Sequence, residues 1–143
     1  MGYCMDMTES NFHIPAAKFG DALAAVKALI LNTDAMHGGS YEGGERVERW
    51  YSWVNNAAVL ESETLVDALH AWRWEAYCGD SEDISLIYFR GEKLGQDDIL
   101  FRALAPYVTA GSYVAMRGED GALWRWYFDG TNCIEQEGRI VYE

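Results

Sequence analysis

The side chains able to act as ligands or nucleophiles are thinly spread. His13, His37 and His70 stand more than 20 residues apart. A metal centre needs its ligands at short, fixed intervals, and no Cys or Asp stands at such an interval from any of them. Each histidine therefore reads as an ordinary polar residue, with His13 able to meet an acid across a sheet. Cys4, Cys78 and Cys133 are odd in number and form no C-x-x-C pair. They read as free thiols of a reducing compartment, mostly buried. No cationic neighbour in the sequence would lower their pKa, and G-x-S-x-G does not occur. The paired acids Glu61/Glu63, Asp97/Asp98 and Glu119/Asp120 flank turns or helix starts, where acids serve structure. "DSED" at 80–83, which holds Glu82 and Asp83, lacks the alternating series of a calcium loop and reads as a solvated turn. "HGGSYEGGE" at 37–45 has glycines but no phosphate-binding Lys-Ser/Thr. It reads as a contact loop presenting Tyr41 and Glu42. No catalytic residue, cofactor or metal is expected, and an enzyme with dispersed carboxylates is the weakest reading.

Aromatic residues are the other notable feature. All 6 tryptophans fall in close pairs: "RWYSWV", "AWRWEAY" at 71–77 and "LWRWYFD" at 123–129. On a strand, the two tryptophans of a Trp-Arg-Trp triplet share one face and the arginine takes the other. The tryptophans then read as mostly core. Arg73, Arg125 and Tyr127 read as solvent-side anchors for a protein partner.

These residues need elements to position them. Apolar alternation over 2–14 predicts an opening strand, with Thr8–Asn11 as a bulge or a widening edge. Pro15 opens a helix whose Phe19, Leu23, Val26 and Ile30 recur at helical spacing. Residues 32–46 lack periodicity and predict a flexible Gly-rich loop. Thr64 and Asp67 begin a second helix with a near capping box. Strands follow at 73–77 and 84–89, then a helix with Leu100, Phe101 and Leu104 on its face. Three strands joined by "GEDG" and "DGTN" turns complete the chain. The order predicts one α+β domain spanning 1–143. Its antiparallel sheet would carry helices on one face, as a ferredoxin-like split β-α-β core plus a C-terminal hairpin.

The run from Trp74 to Gly130 joins a Trp-bearing strand to "DISLIYF", "ILFRALAPYV" and "SYVAMRGEDGALWRWYFDG". In this pattern it resembles the ferredoxin-like domains of plasmid and phage proteins of largely unknown function. The resemblance implies that fold and a mobile-element origin, and it carries no catalytic residues. The 23 acidic against 11 basic side chains give a net charge of −12. The densest basic stretch, "ERVER" at 45–49, is balanced by its own glutamates. Direct binding of nucleic acid or an anionic membrane is disfavoured. The expected partner is a basic host protein, such as one that handles nucleic acid, met in the cytoplasm. The expected role is inhibition by occluding that basic surface, as anti-CRISPR and other anti-defence proteins do. Glu82, Asp83, Glu119 and Asp120 would join Arg73, Arg125, Tyr127, Tyr41 and Glu42 at the contact. The alternative is a small-ligand domain with a Trp-lined pocket.

Overall fold

The computed structural model describes residues 2–143. It is an α+β structure built on antiparallel strands. The strands are β1 (Met5–Asn11), β2 (Gly38–Glu42), β3 (Glu45–Trp50), β4 (Trp74–Cys78), β5 (Ile84–Phe89), β6 (Tyr113–Gly118), β7 (Leu123–Phe128) and β8 (Cys133–Gly138). The helices are α1 (Phe19–Ala28), α2 (Asn56–Glu61), α3 (Leu65–Ala71) and α4 (Asp97–Leu104). None of them is long and apolar enough to cross a membrane.

Strands β1-β6-β7-β8 form one hydrogen-bonded sheet, and β4-β5 and β2-β3 form two separate ribbons. The β4-β5 ribbon lies along the free edge of β1. Ile14 and Ile84 exchange backbone hydrogen bonds of 3.0 Å there. At the other end Met5 N–H donates to Glu92 and Leu94 N–H to Tyr3. Between these points β1 carries its bulge, at the Met7/Glu9 register shift, and the Ser10 hydroxyl reaches the Ile87 carbonyl at 3.3 Å. The strands thus succeed one another in space as β4-β5-β1-β6-β7-β8. The β5–β1 seam is closed only at its ends, which separates this architecture from one continuous ferredoxin-like sheet. The bulge explains the gap: an extra residue bends the strand and interrupts its ladder.

The core lies between this curved surface and the helices. Phe101 of α4 packs its ring 5.0 Å from Trp126 and 4.9 Å from Trp74. Phe12 and Phe128 complete the aromatic cluster at 5.6 Å from each other. Val26 of α1, Leu65 and Leu69 of α3, and Leu100 and Leu104 of α4 are fully buried beside them. Burying each such side chain is worth about 1.5–3 kcal/mol. Thr64 caps α3 by accepting from the Asp67 N–H at 3.1 Å, as its spacing predicts.

Three expectations need correction. Residues 32–46 are not an unstructured loop. They form a 3-10 turn and the β2-β3 hairpin, because Gly43 and Gly44 take φ of 59° and 86°. Two successive left-handed residues suit a two-residue hairpin turn. The cysteines are not mostly buried: Cys78 is exposed and Cys4 is half-buried, while Cys133 is half-buried against the core. Residues 56–61, given no element by their pattern, form a short helix capped by the Asn55 side chain, which accepts from Ala58 N–H.

Candidate functional site

Strand alternation sorts β7 as its pattern requires. Trp126 and Phe128 are buried under the helices, with Trp124 packed at the margin of the same core. Leu123, Arg125 and Tyr127 take the opposite, uncovered face. In the ladder Tyr127 lies opposite Tyr113 and Ile134, and Arg125 lies opposite Ala115 and Gln136. The Arg125 guanidinium sits 5.3 Å from the ring centroids of both Tyr113 and Tyr127. Its Nε donates to Gln136 Oε1 at 2.6 Å. The Tyr113 hydroxyl donates to Glu9 Oε1 at 2.8 Å, and that carboxylate raises the Tyr113 pKa. A planar cation is therefore held between two tyrosines with part of its surface in water.

The β4-β5 ribbon continues this core-averted surface. Trp74, Ala76 and Ile87 point inward. Tyr77 pairs with Leu86, and Glu75 with Tyr88, on the other side; Tyr77, Leu86 and Tyr88 are all exposed. Glu75 accepts from the Tyr77 hydroxyl at 2.9 Å and from Arg90. These two bonds hold its carboxyl below the ordinary carboxylate value, Tyr77 contributing most. The uncovered face carries both charge signs in equal number, Asp6, Glu9 and Glu75 against Arg90, Arg117 and Arg125.

Arg73 is not on this face. It occupies the junction between α3 and β4 with φ of 72°, and the left-handed turn sends its side chain inward. Its Nη2 lies 3.1 and 3.3 Å from the two Asp97 carboxylate oxygens. Its Nη1 donates to the Lys93 carbonyl at 2.6 Å, and its guanidinium stacks 5.3 Å from the Phe89 centroid. Asp97, wholly buried, also accepts from Trp74 Nε1 at 2.9 Å and Gly95 N–H at 3.0 Å. Burial raises the Asp97 pKa, and Arg73, Trp74 and Gly95 oppose that. Four hydrogen bonds from three donor groups, with no competing acceptor, make this the setting of a carboxylate. The pair is a structural lock between α3, β4 and α4.

Most of the predicted acids are also tied into the fold. Asp83 accepts from Ala16 N–H at 2.7 Å and lies 2.9 Å from His13 Nε2; His13 thus meets an acid instead of standing as an ordinary polar residue, and it does so between two loop residues, not across a sheet. Glu119 accepts from Cys4 N–H at 2.7 Å. Asp120 accepts from the Tyr3 hydroxyl and from Ala122 N–H. Glu82 is exposed in the 79–83 turn, and Tyr41 and Glu42 are exposed near the tip of the β2-β3 ribbon. The structure brings Arg125 and Tyr127 together and leaves the other residues at separate places.

A second surface gathers the third Trp pair of the chain, away from the core. Trp50 and Trp53 are not core; Trp53 is 50% exposed with φ of 69°. That backbone state costs a bulky residue about 1–3 kcal/mol. Gln96 holds the region: its Oε1 accepts from His37 N–H at 2.9 Å and Ser52 N–H at 3.1 Å, and its Nε2 donates to Ala35. Trp50 and Trp53 line two open grooves of about 680 Å³ and 420 Å³. The first also meets Glu48, Arg49 and Asn55, and the second His37. Trp50 and Trp53 stand three residues apart, where the other pairs stand two apart, so they could not share one face of a strand; the left-handed turn at Trp53 completes the difference.

The cysteines differ in setting. Burial pushes the Cys133 thiol up to about 12, so it is protonated at neutral pH and a poor nucleophile. Lys93 Nζ lies 3.1 Å from Cys4 Sγ, a cationic neighbour the linear sequence does not show. Among the described residues no three His, Cys, Asp or Glu side chains converge as a metal site would require. Comparison with protein-family models, curated proteins and solved structures returns no match to this chain.

Proposed function

We propose that this chain is a protein-binding module, not a catalyst, and that it docks through the uncovered sheet face. The observation carrying this reading is the aromatic and cationic surface on Tyr77, Leu86, Tyr88, Tyr113, Arg125 and Tyr127, on the side away from every helix packed in the core. Tyrosine and arginine anchor protein interfaces because they bring large contact area and a polar tip together. The net charge of −12 favours a basic partner. Charge on the docking face itself is balanced, so the excess elsewhere acts at long range, speeding encounter, while the face supplies the contacts. A basic, nucleic-acid-handling surface occluded in this way is the inhibitory role we assign, with the mobile-element origin that the resemblance of residues 74–130 to plasmid and phage ferredoxin-like domains implies.

The test is affinity capture from host lysate with wild type and the double variant Tyr88→Ala/Tyr127→Ala, at low and roughly 0.5 M salt. A basic protein retained by wild type, lost from the variant and weakened by salt supports the reading. Equal retention by both overturns the docking face. The Trp50–Trp53 grooves favour a second reading, a small ligand stacked on Trp53. Quenching of intrinsic fluorescence by a nucleotide or sugar, absent in Trp53→Ala, would establish it.

A further inference from the structure

The edge of the four-stranded sheet carries a feature independent of the docking face. Strand β8 pairs with β7 on one side, and among the described residues no strand pairs with its other side. A free edge exposes a row of backbone donors and acceptors. The ladder with β7 ends at the Leu123–Gly138 pair, so residues 139–142 run past it. There Ile140, Val141 and Tyr142 are 68%, 64% and 91% exposed. These are three strong β formers, adjoining an open edge, with no apolar cover.

We infer that residues 134–142 form a self-complementary strand that pairs antiparallel with the same segment of a second copy of this chain. A two-fold axis perpendicular to the sheet keeps each residue on its own face, so the axis must pass through a residue. Charge decides which one. An axis at Gln136 sets Glu135 against Glu137. An axis at Glu137 or Arg139 sets that residue against itself. Like charges directly opposite destabilise a strand pair. An axis at Gly138 avoids all three clashes. It places Glu137 opposite Arg139, Ile134 opposite Tyr142, Gln136 opposite Ile140 and Glu135 opposite Val141. Both copies of the Glu137–Arg139 pair are then attractive, and the exposed tail is covered by the partner's β8. Gly138, without a side chain, sits where the two strands cross the axis.

The experiment is the molar mass of the full chain by light scattering and sedimentation, across its soluble concentration range. Wild type is expected to dimerise as concentration rises. Arg139→Glu should raise the dissociation constant about tenfold, since it turns two attractive pairs repulsive. The double swap Glu137→Arg/Arg139→Glu should restore it. Lys18→Glu, on an exposed residue of the first 3-10 turn, changes the net charge equally and should leave the constant near wild type. A wild type that stays monomeric overturns the inference. So does a dimer indifferent to Arg139→Glu, or a loss that the double swap does not restore. The docking proposal is read out by capture of another protein, so either can fail without the other.

Discussion

At the scale of single residues, two identical triplets meet different fates. Trp124-Arg125-Trp126 lies wholly within a strand, and its arginine faces water as alternation requires. Trp72-Arg73-Trp74 straddles a helix end and a strand start. Trp72 and Trp74 are both fully buried, and Arg73 between them turns inward to Asp97. Nothing local in the sequence marks this difference, because the deciding partner lies 24 residues away. Asp97 itself reads as an acid at a helix start, and it is one, but it is also the buried counter-ion. Asp97→Ala strands the Arg73 charge and is expected to cost about 3–5 kcal/mol, measured by urea unfolding. If the loss stays below 1 kcal/mol, the lock is not structural. Asp83 gives a pH-dependent case. The Ala16 N–H, and after it His13, hold its carboxyl below the ordinary value. A depressed folded pKa means stability present above the unfolded value, about 3.9, and lost as pH falls through the folded one. Asp83→Asn should therefore be less stable than wild type at neutral pH, with the gap closing in acid. Unfolding midpoints followed across that range check the sign.

At the scale of elements, what is legible depends on whether the signal is local. The Thr64 cap, the "GEDG" and "DGTN" turns and the bulge region near Thr8 are set by neighbouring residues, and each appears where its chemistry places it. The β2-β3 ribbon was hidden because its glycines erase the alternation that identifies a strand. Gly38 is required where the Trp50 side chain crosses it, and Gly43–Gly44 make the turn. The ribbon's own ladder and Gln96 tie it in place, with little core beneath, so it should open locally without global unfolding. Gly44→Ala forces a side chain into φ of 86° at a cost of about 1 kcal/mol. The expected result is faster amide hydrogen exchange over 38–50, with protection unchanged in β6 and β7. Uniform loss of protection would show that the ribbon and core unfold as one unit.

At the scale of the molecule, strand pairing is the least legible property. β1 ends beside both β5 and β6, more than 70 residues further along the chain, and periodicity does not report which edges meet. Composition, in contrast, speaks directly at this scale. The excess of 23 acids over 11 bases must be confined in one compact particle, and like charges close together oppose the folded state. Few ion pairs offset this: the Arg49–Asp34 and Arg102–Asp98 contacts are at least half solvated on one partner, and such pairs contribute about 0–1 kcal/mol. Added salt should therefore stabilise the chain by screening repulsion more than it weakens attraction. The midpoint of thermal unfolding is expected to rise steadily from low salt to roughly 0.5 M, well past the roughly 0.1 M at which the screening length is about 10 Å. Choosing sodium chloride keeps the effect one of screening, since sulfate also strengthens apolar burial. A midpoint that falls over the same range would mean that attractive pairs dominate, and that the acids are held by partners within the fold.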